Sequence, residues 1–164
     1  RHHGLREVHL LEADPARRAL LRDRFPGLPV LGPEAAAGDL DGYAAIAAAA
    51  RYPAVVECAG APQALDAALT LAAPGGAVLA LGLAPAAPAR TGLIVTKGLT
   101  VHGSIGGTGA FPEALRFLSR HGAEVRRLLL TGCHPATDAA RALADGARPG
   151  RTKTQIRFEG TDDA

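Results

Sequence analysis

The sequence predicts an α/β fold built on parallel strands, and three observations predict it. Residues 1–106 alternate short apolar runs with segments of helical composition, with Pro or Gly at nearly every junction. Residues 77–81 form an almost uninterrupted apolar run, the composition of a strand covered on both faces. Val8-His9-Leu10-Leu11-Glu12 ends an apolar strand on an acid, and a helix begun by Pro15 follows at once.

Each element has a local reason. Asp14 is a good N-cap with Pro15 in the first helical position, and this helix is expected to stop by Phe25-Pro26-Gly27. Residues 28–31 read as a short strand, 32–42 as a turn and acidic loop, and 43–51 as an Ala-rich helix ended by Pro53. A strand at 54–58 leads through Gly60-Ala61-Pro62 into a helix whose Leu65, Ala68, Leu69 and Ala72 share a face. Pro74-Gly75-Gly76 is expected to close that helix before the strand at 77–81. Three prolines make 84–90 an extended loop, followed by an apolar segment at 93–95 and a strand at 99–105. Beyond Gly106-Gly107-Thr108-Gly109 come a helix begun by Pro112 with Leu115 and Leu118 on one face, and a strand at 127–130. A helix begun by Pro135, a strand at 154–158 and a frayed tail at 159–164 complete the chain, and there is no fixed-period repeat.

Composition narrows the class. The chain has 164 residues, 48% of them hydrophobic, enough to bury a core of one to two domains. The net charge of +2 comes from Arg interspersed with Asp and Glu, without a Lys/Arg run, and only 4% of residues are aromatic. Neither a phosphate-tracking stripe nor a base-stacking surface is present, which argues against nucleic acid as a partner. Cys58 and Cys133 lack CxxC spacing, arguing against a disulfide framework and a Cys-rich zinc site; a reducing, cytoplasmic compartment is expected. No apolar run approaches the roughly 18 residues of a membrane span.

An acid at the end of a strand, followed directly by a helix, is how the second strand of a dinucleotide-binding fold offers a carboxylate to a ribose. That fold carries a Gly-rich phosphate turn about 20 residues earlier, but only eleven residues precede Glu12. The chain is therefore expected to be the C-terminal part of a longer enzyme.

Val55-Val56-Glu57-Cys58-Ala59-Gly60, then Pro74-Gly75-Gly76 with Ala77-Val78-Leu79-Ala80-Leu81-Gly82, then Leu99-Thr100-Val101-His102-Gly103-Ser104 follow one another in a specific order and spacing. This succession resembles the medium-chain, zinc-dependent alcohol dehydrogenases over essentially the whole chain. Gly103-Ser104-Ile105-Gly106 and Phe111-Pro112-Glu113-Ala114-Leu115 look closest to the sorbitol and threonine dehydrogenase branch. The resemblance implies that residues 1–106 are a Rossmann-like NAD-binding domain lacking its first strand and glycine turn. Residues 107–158 would then be the returning C-terminal segment of the catalytic domain. In the usual strand order 3-2-1-4-5-6 the missing strand is central, so two inner edges should stand unpaired.

Several residues become site candidates. Glu12 can accept hydrogen bonds from both ribose hydroxyls and repel a 2′-phosphate, favouring NAD over NADP. By the resemblance, Arg17 lies beside the adenosine ribose, Ala59, Gly60, Leu81 and Gly82 line the nicotinamide half, and backbone groups of Leu81, Ser104 and Gly106 hold the carboxamide. Lys153 matches a position that contacts the pyrophosphate. The same residues have plain structural readings: an exposed acid, surface charges and glycine turns.

Cys133-His134 is read as a turn before Pro135 rather than a zinc ligand pair, since adjacent side chains rarely converge on one ion. His2 and His3 are read as an exposed helix end. The family's zinc ligands and proton relay belong to an N-terminal catalytic lobe outside this sequence. The resemblance also implies an alcohol or polyol substrate and a homodimer or tetramer, with residues 100–105 as the pairing edge. The alternatives are a fragment of an S-adenosylmethionine-dependent methyltransferase, whose second strand also ends on a ribose-binding acid, and a degenerate, non-catalytic binding module.

Overall fold

The computed structural model describes residues 4–36, 42–84, 86, 88–107 and 109–158; His2, His3 and the tail at 159–164 lie outside them. In chain order the elements are β1 (Leu10–Leu11), α1 (Pro15–Arg24), β2 (Val30–Leu31), α2 (Gly42–Ala49), β3 (Tyr52–Glu57), α3 (Ala64–Leu71) and β4 (Ala72–Ala80). They continue with α4 (Gly92–Lys97), β5 (Thr100–Gly103), α5 (Phe111–Leu129), β6 (Leu130–Pro135), α6 (Ala139–Gly146) and β7 (Lys153–Arg157). Every strand pair is parallel, as the fold class requires. The chain divides into two compact units, Arg1–Gly32 with Pro112–Ala164, and Pro33–Phe111.

In the first unit β1 pairs with β2, Leu10 opposite Val30 and Leu11 opposite Leu31. Both strands are shorter than expected. Pro29 has no N–H for a ladder, and the Leu28 N–H instead closes the turn on the Phe25 carbonyl at 3.0 Å. Asp14 caps α1 as its sequence demands, its Oδ1 accepting from the N–H groups of Ala16 at 2.7 Å and Arg17 at 3.3 Å. The strand expected at 127–130 is corrected: α5 continues through Leu129. Arg126 and Arg127 in its last turn suit the negative end of the helix dipole, and the Leu128 carbonyl accepts from the Arg24 guanidinium. The next strand is therefore β6, which takes in Cys133 and His134, so they are not turn residues. A 3₁₀ turn at Ala136–Asp138 precedes α6, and β7 begins at Lys153, one residue early.

The second unit is a three-stranded sheet in the order β3-β4-β5. Its core joins Ala68, Leu69, Ala72, Val78, Leu93 and Leu99, with Leu69 and Val78 each 1% exposed. The segment at 93–95 is helical, within α4, and the 32–42 region contains a 3₁₀ turn at Pro33–Ala36. Pro53 lies inside β3, and Ala72 opens β4 instead of finishing α3. The register passes from Tyr52 opposite Ala72 to Ala54 opposite Ala77, so Pro74-Gly75-Gly76 bulges out across from Pro53, which has no N–H to continue the ladder. Gly75 supplies the left-handed backbone there, with φ +72°. The turn signal was sound, but it interrupts a strand.

Buried Lys97 closes α3 from outside, its Nζ donating to the carbonyls of Leu69 (2.9 Å), Thr70 (2.6 Å) and Ala72 (3.0 Å). The strand expected to be covered on both faces is covered on one. Val78 is buried, but Ala77 on the opposite face is exposed, and Val56, beside Leu79 on that face, is 57% exposed. Among the described residues β1 pairs only with β2 and β3 only with β4, leaving an open edge on each. No helix among the described residues is long and apolar enough to cross a membrane.

Candidate functional site

Parallel strands bring their carboxyl ends to one side, and in the second unit these ends carry most of the candidate residues. Glu57 ends β3 and is buried, 7% exposed. Its Oε1 accepts from the N–H groups of Ala59 at 2.7 Å and Gly60 at 2.8 Å. Its main-chain carbonyl accepts from the N–H groups of Leu81 at 2.8 Å and Gly82 at 3.1 Å. One residue thus ties together the turns after β3 and β4. At the end of β5, the Ser104 N–H donates to the Ala80 carbonyl at 3.1 Å. The structure therefore gathers Ala59, Gly60, Leu81, Gly82 and Ser104.

The gathering also explains why small residues stand there. A Cβ on Gly82 would lie 2.2 Å from the Gly60 nitrogen and 2.5 Å from Glu57 Oε2, and one on Gly60 would lie 2.9 Å from the Leu83 nitrogen. Both glycines are required by turn-on-turn packing, whatever else approaches them. Gly106 differs: its φ is +68° and a Cβ there would meet nothing within 4 Å, so its backbone is open. Leu81, Leu83 and Ile105, 44%, 80% and 76% exposed, make this rim apolar. The N–H groups of Leu81 and Ser104 are already engaged, so any polar backbone contact they offer a ligand is through a carbonyl. Glu57 also borders a cavity of 240 Å³ with Ala61, Leu65, Ala80 and Ala84, below the roughly 300 Å³ at which small-molecule sites begin.

Glu12, Arg17 and Lys153 belong to the first unit. Glu12 follows β1, its Oε1 accepting from the Asp14 N–H at 2.9 Å. The Arg17 Nε lies 3.8 Å from Asp14 Oδ2, and Arg18 Nη1 donates to the carbonyls of Glu12 and Ala13, each at 2.8 Å. Asp14 Oδ2 also accepts from the Gly150 N–H at 3.4 Å, so the loop before Lys153 is fastened to the start of α1. These bonds, the one to Ala16 first, hold the Asp14 carboxyl below its ordinary value. Lys153 itself is exposed at the head of β7.

Cys133 and His134 are successive strand residues, and His134 Nε2 sits 3.1 Å from Asp145 Oδ2, whose other oxygen takes Arg151 Nη2 at 2.7 Å. His134 then Arg151 hold the Asp145 carboxyl below its ordinary value. The Cys58 thiol is pushed up, by burial and then by Glu57. Among the described residues no group of three or more His, Cys, Asp and Glu could hold a metal ion. Within the second unit, glycine turns and an apolar rim stand at the carboxyl ends of parallel strands, the edge at which open α/β sheets receive ligands.

Sequence reasoning passed over Glu57, although an acid inside the apolar run before Ala59-Gly60 was the available signal. It also passed over Lys97, one of only two lysines in an Arg-rich chain. The link between Asp14 and Gly150 left no local signal.

The family described as zinc-binding dehydrogenase matches residues 1–120. Among solved structures, the chain is similar to L-idonate 5-dehydrogenase from Escherichia coli K-12, at 24% identity and TM-score 0.73 over 94% of this chain and 44% of that one. It is similar to an E. coli CFT073 alcohol dehydrogenase complexed with NADH, at 17% identity and TM-score 0.70 over 93% and 44%. S. aureus TarJ in complex with NADPH matches at 17% identity and TM-score 0.69, over 93% and 47%. The chain thus spans less than half the length of these proteins and shares the Rossmann-like fold of their matching parts. Residues 1–120 carry the family's sequence, parallel strands carry its fold, and the chain belongs to the zinc-binding dehydrogenases.

Proposed function

We propose that this chain is the cofactor-binding and C-terminal portion of an NAD-dependent alcohol or polyol dehydrogenase, completed by an N-terminal catalytic lobe that holds the zinc ligands. On this reading residues 1–106 form the cofactor domain and 107–158 return to the catalytic one. The nicotinamide, when bound, accepts or gives the hydride exchanged with a secondary alcohol. The chain's own residues bind and orient it. Glu12 accepts from the adenosine ribose hydroxyls with Arg17 beside it, Lys153 meets the pyrophosphate, and Ala59, Gly60, Leu81, Gly82, Ser104 and Gly106 receive the nicotinamide half.

The observation that carries this reading is Glu12 at the end of β1, directly before the capped start of α1, in a chain of this family. A carboxylate there disfavours a 2′-phosphate by charge repulsion. Steady-state kinetics of the full-length gene product with both cofactors test it. NAD is expected to be preferred, and Glu12→Ala to narrow the preference by about tenfold, the loss of one charge-assisted hydrogen-bonding group. Preference for NADP in the unaltered protein would overturn the role of Glu12.

A further inference from the structure

We propose that Glu57 is a positioning residue that acts as a built-in anion for the nicotinamide end of the site, an assignment that rests on the cofactor reading above. Two successive N–H groups, of Ala59 and Gly60, converge on one oxygen of its carboxylate at 2.7 and 2.8 Å. Gly60 holds φ +61°. Consecutive amides aimed at one point form a nest, which elsewhere captures phosphate or another anion. Here the nest is filled from within.

Two consequences follow for the ligand. The Ala59 and Gly60 amides are already taken by Glu57, so the nest they form receives no phosphate and favours a neutral or cationic group beside it. The two turns also move as one piece. The Glu57 carbonyl receives the Leu81 and Gly82 N–H groups, and the carboxylate packs where any side chain on Gly82 would have to go. Removing the carboxylate frees both Ala59 and Gly60 amides and unlocks the turn that abuts Gly82 and Leu83, while β1, α1 and Glu12 keep all their own bonds.

The test compares two probes, NADH and AMP, by calorimetry on the full-length gene product. Glu57→Ala is expected to weaken NADH by about tenfold or more, the effect of losing hydrogen bonds to a charged group, while AMP changes by less than about twofold. Glu57→Gln, whose amide oxygen still accepts both N–H groups, is expected to stay within about threefold of the unaltered protein for NADH. A loss confined to one probe is what a general structural role would not give. Should the alanine protein fail to fold, Glu57→Asp is read in its place, because its carboxylate is withdrawn by one methylene and the same selective loss is expected. If the substituted proteins bind NADH as tightly as the unaltered one, or lose NADH and AMP alike, the role of Glu57 is overturned and the cofactor reading stands. If the unaltered protein binds neither probe, both fall.

Discussion

Asp145 and Asp66 both take guanidinium partners, and the partners decide what pH does to each. Asp145 accepts from His134 and Arg151, and these two, in that order, hold its carboxyl below the ordinary 3.8. A folded-state value depressed below the unfolded one gives stability that is complete above the unfolded value and lost as pH falls through the folded one. Denaturant midpoints measured from neutral pH down to about pH 3 should therefore decline most steeply below about pH 4, and Asp145→Asn should flatten that decline. Asp66 is held below 3.8 chiefly by its side-chain bonds from Arg90, the Nη2 at 2.6 Å. The pair is partly exposed, so Asp66→Asn should cost about 1 kcal/mol in urea unfolding. The two clusters were unequally legible. A cap such as Asp14 is written in four neighbouring residues, whereas 134, 145 and 151 meet only after β6, α6 and β7 have folded.

At the scale of elements, α3 shows how a helix end can be satisfied from a distant residue. The Lys97 ammonium donates to three carbonyls at its C-terminus, groups that no intrahelical N–H can reach. Burial and then the positive Arg90 pull its pKa below the ordinary lysine value. Lys97→Met keeps the aliphatic volume but strands those acceptors, and should cost about 2 kcal/mol in equilibrium denaturation. A loss below about 0.5 kcal/mol would mean that water replaces the ammonium. Sequence patterning placed the helices and strands well where composition is local: Pro15 starts α1, and the helical face of Leu65, Ala68 and Leu69 packs in the core. It failed where tertiary pairing decides. Ala72 fits a helical face and a buried strand equally, and Pro74-Gly75-Gly76 reads as an end until β3 is laid beside it. Arg126 and Arg127 suit the C-terminal end of α5, and the short apolar run of leucines after them fits a buried strand and a helix end equally by pattern.

At the scale of the whole molecule, the open edges and the uncovered sheet face bear on assembly. β5 is the last strand of its sheet, with Val101 39% and Ile105 76% exposed. The Ser104 N–H points toward β4, and along a strand these directions alternate, so the Val101 N–H faces away from the sheet. Dimerisation through a continuous sheet is proposed at this edge, and Val101→Pro should abolish it by removing an outward donor while leaving the β4 ladder intact. Sedimentation of the full-length gene product would show a folded monomer; an unchanged dimer would exclude β5 as the interface. The burial of Lys97 reaches further than stability. The sequence holds only one other lysine, Lys153, which is exposed. An amine-reactive reagent therefore labels one lysine on a folded chain and two on an unfolded one, so the mass of the labelled protein counts, molecule by molecule, how much of a sample has kept the core of the second unit closed.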